Sequence, residues 1–491
     1  MNKAFHSVIN HALTNKLIHK EDKTYIENLL AAKLQLDEVP SVESTGVPFT
    51  EALSHLSEYA AEKGIIENTA GERDIFETEI AGFLTPRPSE IVRVFNALYK
   101  ESPKRATNYF FDLSQSNNYI RCEDIKKNVQ WTTPTDFGNI EITINLSKPE
   151  KDPRDIERAA KAATSNYPKC ALCPENEGYK GRANHPARSN LRIIPLTLQG
   201  DEWGFQYSPY AYFNEHSILL SKEHRPMAIH KKAFLNLLEF TEVFPHYFAG
   251  SNADLPIVGG SILSHEHYQC GRYTFPMMMQ NADFPLAFKG FEDIDAEKVH
   301  WPMPTIRLMG NDKNRLALLA DKILAAWRNY TDEEAFVFAQ TDNTPHNTIT
   351  PIAWRKGEKF VLDLVLRNNI TTPEHPLGVY HPHADKHNIK KENIGLIEVM
   401  GMAILPARLL SESAEMESLI TSNKSLEESP SCAKHAEWVK RRGIDKAENV
   451  GNKIREEIGK TFLEVLMDAA VYKPDENGNR AFLKFIEKVN A

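Results

Sequence analysis

Apolar residues open the chain at helical spacing. Val8, Ile9, Ala12 and Leu13 lie three to four apart, as do Tyr25, Ile26, Leu29 and Leu30. That period predicts helices, so roughly the first 120 residues read as a helical packing domain. A further helix is predicted from Pro88, with Ile91, Val94, Phe95 and Leu98 on one face. Proline suits a first helical position, where its missing N–H has no partner to lose. Gly64, Gly71 and Pro86 punctuate these helices. Near residue 130 the period changes. Ile140, Ile142, Ile144 and Leu146 alternate with Glu141, Thr143 and Asn145, which is the pattern of a half-buried strand. Residues 203–221 are rich in aromatic and β-branched side chains and predict two or three strands. Helices are expected over about 230–248 and 314–330. Between them comes Leu255-Pro256-Ile257-Val258-Gly259-Gly260-Ser261. A hairpin is expected with strands 349–355 and 359–367, joined by Lys356-Gly357-Glu358. From about residue 408 the chain is helical again, with the acidic stretch 411–428 as a solvated helix or loop. Strands and helix thus occur together twice. The fold class is α+β, with two similar halves between helical ends, although no short sequence repeat marks them.

Composition narrows the classes. A chain of 491 residues exceeds one compact core and suggests two to four domains. With 41% hydrophobic and 25% charged residues it is globular. A net charge of -9 without a long basic block disfavours a nucleic-acid binder, which needs clustered Lys and Arg. A small anionic ligand needs only a local positive pocket. The five cysteines, Cys122, Cys170, Cys173, Cys270 and Cys432, are too few and too scattered for a disulfide framework. No signal-peptide core opens the chain and no stretch is apolar enough to span a bilayer. The expectation is a cytoplasmic protein with reduced thiols.

Three segments carry candidate chemistry. In His265-Glu266-His267-Tyr268-Gln269, a strand would project His265, His267 and Gln269 from one face. Three polar side chains together do not suit an ordinary core. Gly259-Gly260-Ser261 precedes them, and there backbone can approach a ligand or donate N–H groups to phosphate. A neutral imidazole is a nucleophile toward phosphorus near neutral pH, provided that its other nitrogen has an acceptor to fix the tautomer. His267 is the expected nucleophile. Second, Cys170-Ala171-Leu172-Cys173 suggests a metal knuckle, a redox pair or two incidental thiols. No second C-x-x-C exists, so histidines would complete a tetrahedral site, with His224 and His265 as candidates. Third, Tyr380-His381-Pro382-His383-Ala384-Asp385-Lys386-His387 could bind phosphate or a metal, but reads better as a polar loop. Gly459-Lys460-Thr461 resembles the end of a phosphate-binding loop. The first glycine of that motif would fall at Ile454, and the surroundings are helical, so it is discarded.

The runs Ala211-Tyr212-Phe213-Asn214-Glu215-His216, Gly259 through Gln269, and Lys391-Glu392-Asn393-Ile394-Gly395-Leu396-Ile397-Glu398-Val399-Met400-Gly401 resemble the galactose-1-phosphate uridylyltransferases, most closely their second type. The resemblance spans about residues 165 to 410. It implies two histidine-triad-like antiparallel-sheet halves, at 128–295 and 296–410, after a helical domain 1–127 and before a helical region 411–491. It also implies a ping-pong reaction. His267 would attack the α-phosphorus of UDP-glucose, glucose 1-phosphate would leave, and galactose 1-phosphate would take the uridylyl group. Gln269 stands where hydrolases of the superfold carry a third histidine. A sugar phosphate leaves readily as an anion and needs little acid help. In the first type of the family, C-x-x-C joins two histidines around zinc. Cys170, Cys173, His224 and His265 match that pattern, with His216 as the competitor of His224. A second metal is doubtful, because its counterpart near Asp363 and Val365 lacks the histidines, although His346 resembles one ligand. Glu266 stands where the first type has proline. Ser261, Arg188 and Arg192 are expected at phosphate, Glu398 at sugar hydroxyls, and the assembly as a homodimer. The competing expectations are a dinucleoside-polyphosphate phosphorylase or hydrolase of the same superfold, and a non-catalytic zinc-bearing nucleotide binder.

Overall fold

The computed structural model describes residues 1–41, 46–147, 165–260 and 262–491. They form two compact units, Met1–Lys127 with Ser147–Arg225, and Asn128–Leu146 with Pro226–Ala491.

The first unit is helical at its start, as the period of its apolar residues predicts. Helices span Asn2–Thr14, Lys23–Lys33, Phe49–Glu62, Ala70–Phe83, Pro88–Glu101 and Pro103–Ser116. Helix Asn2–Thr14 buries Ala4, Phe5, Val8, Ile9 and Ala12, one stripe at three-to-four spacing. Pro88 and Pro103 each begin a helix. Thr69 caps the helix Ala70–Phe83 by accepting from the Glu72 N–H at 3.3 Å. The later part of the unit supplies three antiparallel strands, Ile194–Leu198, Asp201–Tyr207 and Ser217–Ser221. Gln199 and Gly200 turn the first hairpin with φ of 48° and 79°, the two positive values of a type I′ turn. Phe110 packs its ring on Phe95, Phe205 and Tyr207 at centroid distances of 6.2, 5.8 and 5.2 Å. The helices and this sheet therefore share one core.

In the second unit seven antiparallel strands follow in the spatial order His267–Gly271, Phe248–Gly250, Asn347–Lys356, Lys359–Asn368, Thr305–Gly310, Asp295–Val299 and Ala282–Leu286. The expected hairpin is the long central pair, and its turn is Gly357-Glu358, with Gly357 at φ 61°. Helices Lys231–Val243 and Lys313–Arg328 pack on the sheet. Their caps are His230, which accepts from the Ala233 N–H, and Asp312, which accepts from Asn314 and Arg315. A smaller sheet joins Val129–Thr135, Gly138–Ile144 and Met402–Leu405, the last running parallel. Helix Val450–Asp468 lies against this hairpin at Gly459. With helices and largely antiparallel sheets, the fold class is α+β. Among the described residues no helix is long and apolar enough to cross a membrane.

Candidate active site

His267 begins the strand His267–Gly271. The sequence reading placed His265 on the same strand, but His265 sits in a bend before it. The contribution of position 265 is therefore visible in its main chain. Its carbonyl oxygen lies 2.8 Å from His267 Nδ1. A carbonyl can only accept, so Nδ1 carries the proton and Nε2 keeps the lone pair. His267 is 8% exposed. Burial pushes its pKa below the ordinary imidazole value, partly opposed by the His265 carbonyl, and so favours the neutral ring.

Gln269 is two residues on and shares the His267 face. Its partner across the sheet is Gly250. Directly opposed residues project to one face, and a Cβ on Gly250 would meet Leu396 Cδ1 at 2.8 Å. The turn Leu396–Val399 therefore lies over the face that carries His267 and Gln269. Asn252 ties the turn down, since its Oδ1 accepts from the Leu396 N–H at 2.9 Å. The Asn252 amide also lies 2.7 Å from where a Gly260 Cβ would stand, so glycine there permits the close approach. Glu398 is buried on this turn, pairs with Lys390, and accepts from the Gly395 N–H at 3.0 Å. Arg367, buried beneath, donates to the Ile394 carbonyl at 2.9 Å. Burial pulls its pKa down to about 10, and Glu398 opposes that pull. Ser261 lies outside the described residues.

The first unit brings Cys170, Cys173 and His224 together, their ligand atoms within 4.8 Å of one another. His224 Nδ1 is 3.1 Å from Cys173 Sγ and 3.8 Å from Cys170 Sγ. Two thiols and one imidazole form a donor set that suits zinc. Burial pushes the Cys173 thiol upward, so an ion would have to displace a proton on binding. His216 packs against the Phe213 ring, with centroids 4.4 Å apart and the planes tilted by 35°. His265 belongs to the second unit and is buried there. Sequence reasoning missed Asn176. Its Nδ2 donates to the carbonyls of both Cys170 and Cys173 at 2.8 Å, and its Oδ1 accepts from His185 Nε2 at 2.7 Å. Bonds from a side chain to main-chain carbonyls leave no motif. Arg188 donates to the Ala187 carbonyl and lies over the Tyr119 ring. Arg192 is spent on the carbonyls of Pro86, Ser189, Leu191 and Thr85.

Residues 16–226 match the model of "Galactose-1-phosphate uridyl transferase, N-terminal domain", and residues 239–439 match that of its C-terminal domain. A galactose-1-phosphate uridylyltransferase of Clostridium acetobutylicum is 49% identical, over 99% of each chain. That of Fusobacterium nucleatum is 48% identical, over 98% of this chain and 97% of the other. This chain belongs to the galactose-1-phosphate uridylyltransferase family. Among solved structures, yeast Ap4A phosphorylase Apa2 aligns with 66% of this chain at 11% identity and a TM-score of 0.38.

Other sequence candidates of this uridylyltransferase-family chain have structural partners. Arg307 grips Asp363 with Nε at 2.7 Å and Nη2 at 3.1 Å, and Trp354 Nε1 donates to the same carboxylate at 3.0 Å. A guanidinium is therefore the partner of Asp363, which the sequence reading had compared with a metal-ligand position. His346 Nδ1 pairs with Asn369 Oδ1 at 2.8 Å. In the histidine-rich segment, the His383 N–H donates to Asp468 at 3.0 Å, and Lys386 pairs with Asp468 at 3.1 Å. These bonds tie the loop to helix Val450–Asp468. Gly459-Lys460-Thr461 lies inside that helix.

Proposed function

We propose that the chain transfers a uridylyl group from UDP-glucose to galactose 1-phosphate through a covalent adduct on His267. The bond from His267 Nδ1 to the His265 carbonyl carries this reading, because it leaves Nε2 as the nucleophile. Nε2 attacks the α-phosphorus, the bond from that phosphorus to the bridging oxygen breaks, and glucose 1-phosphate departs as an anion. A phosphate oxygen of galactose 1-phosphate then attacks the same phosphorus, the P–N bond breaks, and UDP-galactose leaves. Gln269 hydrogen-bonds the phosphoryl oxygens without offering a proton, as the leaving phosphate requires. Glu398 accepts from hexose hydroxyls, Ser261 meets phosphate, and Arg188 is the cation for the diphosphate. Arg192 is left out, because backbone carbonyls already hold its guanidinium.

His267→Ala is expected to abolish exchange. Intact-protein mass after incubation with UDP-glucose should show one added uridylyl group in the wild type and none in the variant. An adduct on the variant would place the nucleophile elsewhere. Zinc is assigned to Cys170, Cys173 and His224, with His265 as fourth ligand, and its role is to hold these groups in place. Elemental analysis should find about one zinc per chain, lost in Cys173→Ser. A homodimer in the cytoplasm completes the reading, and light scattering of the pure protein tests the dimer.

A further inference from the structure

Glu266 stands between the two histidines of the site and is only 3% exposed. A buried carboxylate is costly unless hydrogen bonds hold it. The Tyr268 hydroxyl donates to Glu266 Oε1 at 2.7 Å, and Asn236 Nδ2, on helix Lys231–Val243, donates to the Tyr268 oxygen at 3.3 Å. Tyr268 and Asn236 are also buried. The hydrogen bonds thus run in one direction, from the helix through tyrosine to carboxylate. Along this strand, Tyr268 faces away from His267 and Gln269. The peptide that joins His265 to Glu266 carries the carbonyl that accepts the His267 Nδ1 proton. Turning that peptide would aim the carbonyl elsewhere and free the imidazole to rotate or change tautomer. The Tyr268 hydroxyl anchors the Glu266 side chain at 2.7 Å, and a buried hydrogen bond is costly to break, so the Glu266 side chain resists that turn.

We propose that Asn236, Tyr268 and Glu266 are positioning residues, a brace behind the strand that holds the His265 carbonyl on His267 and so fixes the nucleophile's tautomer and ring angle. The proposal rests on His267 as the nucleophile. The brace acts through the main chain and is spent on orientation, so its loss falls on the chemical step more than on substrate affinity.

The test uses the full-length, metal-loaded protein with UDP-glucose. It measures the rate of adduct formation by quenched-flow mass spectrometry, together with kcat, KM and the thermal midpoint. Tyr268→Phe is expected to slow adduct formation and kcat about tenfold, with KM for UDP-glucose within about twofold. Glu266→Gln keeps an oxygen for the tyrosine hydroxyl and is expected to retain at least about half the rate. Glu266→Ala should match Tyr268→Phe, and the double variant should be no slower than either, because the residues act as one chain. Wild-type kcat in Tyr268→Phe, additive losses in the double variant, or a change confined to KM would each overturn the brace. If Tyr268→Phe does not fold, Asn236→Ala gives the same comparison, with a roughly threefold loss expected and no loss counting against it. An adduct on His267→Ala would instead sink the nucleophile assignment. A normal wild-type adduct with unimpaired brace variants would sink the brace alone.

Discussion

Asn176 joins two main-chain carbonyls of the C-x-x-C turn to a histidine nine residues further on. That histidine is held in its neutral form. Burial, helped by Arg182 and Arg188, pushes His185 down to about 4, whereas an unfolded histidine titrates near 6.5. Between those values the unfolded chain binds a proton that the folded chain refuses. The stability that neutral His185 contributes is therefore complete above about pH 6.5 and is lost as pH falls toward 4. The melting temperature should drop between pH 7 and pH 5, and should drop less in His185→Gln, which keeps an N–H donor for Asn176. Equal drops in the two proteins would show that His185 is not the titrating group. At this scale the sequence was legible where chemistry is dense. C-x-x-C and H-x-H mark candidate residues by spacing, and His224 is reached through the resemblance of residues 218–224 to the strand before the family's ligand. Asn176, Asn252 and the Tyr268 hydroxyl were silent, since asparagine and tyrosine occur everywhere and no spacing rule marks the carbonyls, the Leu396 N–H or the Glu266 carboxylate that they bond.

Elements were legible where a period ran long enough. The hairpin of Asn347–Lys356 and Lys359–Asn368 has two long runs rich in apolar and β-branched residues and a glycine at its turn, so pattern and turn chemistry agreed. The strand at His267 is only five residues long, and the polar residues before it continue the same alternation, so its start could not be read. Helix Val450–Asp468 shows a contact that pattern cannot report. A Cβ on Gly459 would overlap the Thr133 side chain, which means that the helix and the strand Val129–Thr135 meet at glycine's width. Gly459→Ala raises helix propensity by up to about 1 kcal/mol, but the overlap costs about 1–3 kcal/mol. A lowered denaturation midpoint with an unchanged slope is expected. A gain in stability would mean that the strand shifts freely to make room.

The whole chain passes between its two units three times, at 127/128, 146/147 and 225/226. The hairpin 128–146 belongs with Met402–Leu405 and helix Val450–Asp468, residues far later in sequence. Such pairing leaves no local trace, so composition and periodicity suggested only linear segments. A fragment of residues 1–225 would carry the hairpin without its partners. Ile140, Ile142 and Ile144 are buried in the full chain and are each worth about 1.5–3 kcal/mol when covered. The fragment should aggregate or bind a hydrophobic dye. A monodisperse fragment with a cooperative melt would contradict this.

The acceptor for His267 Nδ1 is a peptide carbonyl, a group that every residue possesses. No single codon change at position 265 can delete it. Natural variation there can replace the ring while leaving the proton's address intact, so a population of variants at 265 separates two contributions that a catalytic dyad built from side chains would confound. Whatever such variants lose belongs to the imidazole of His265. Whatever they retain belongs to its backbone.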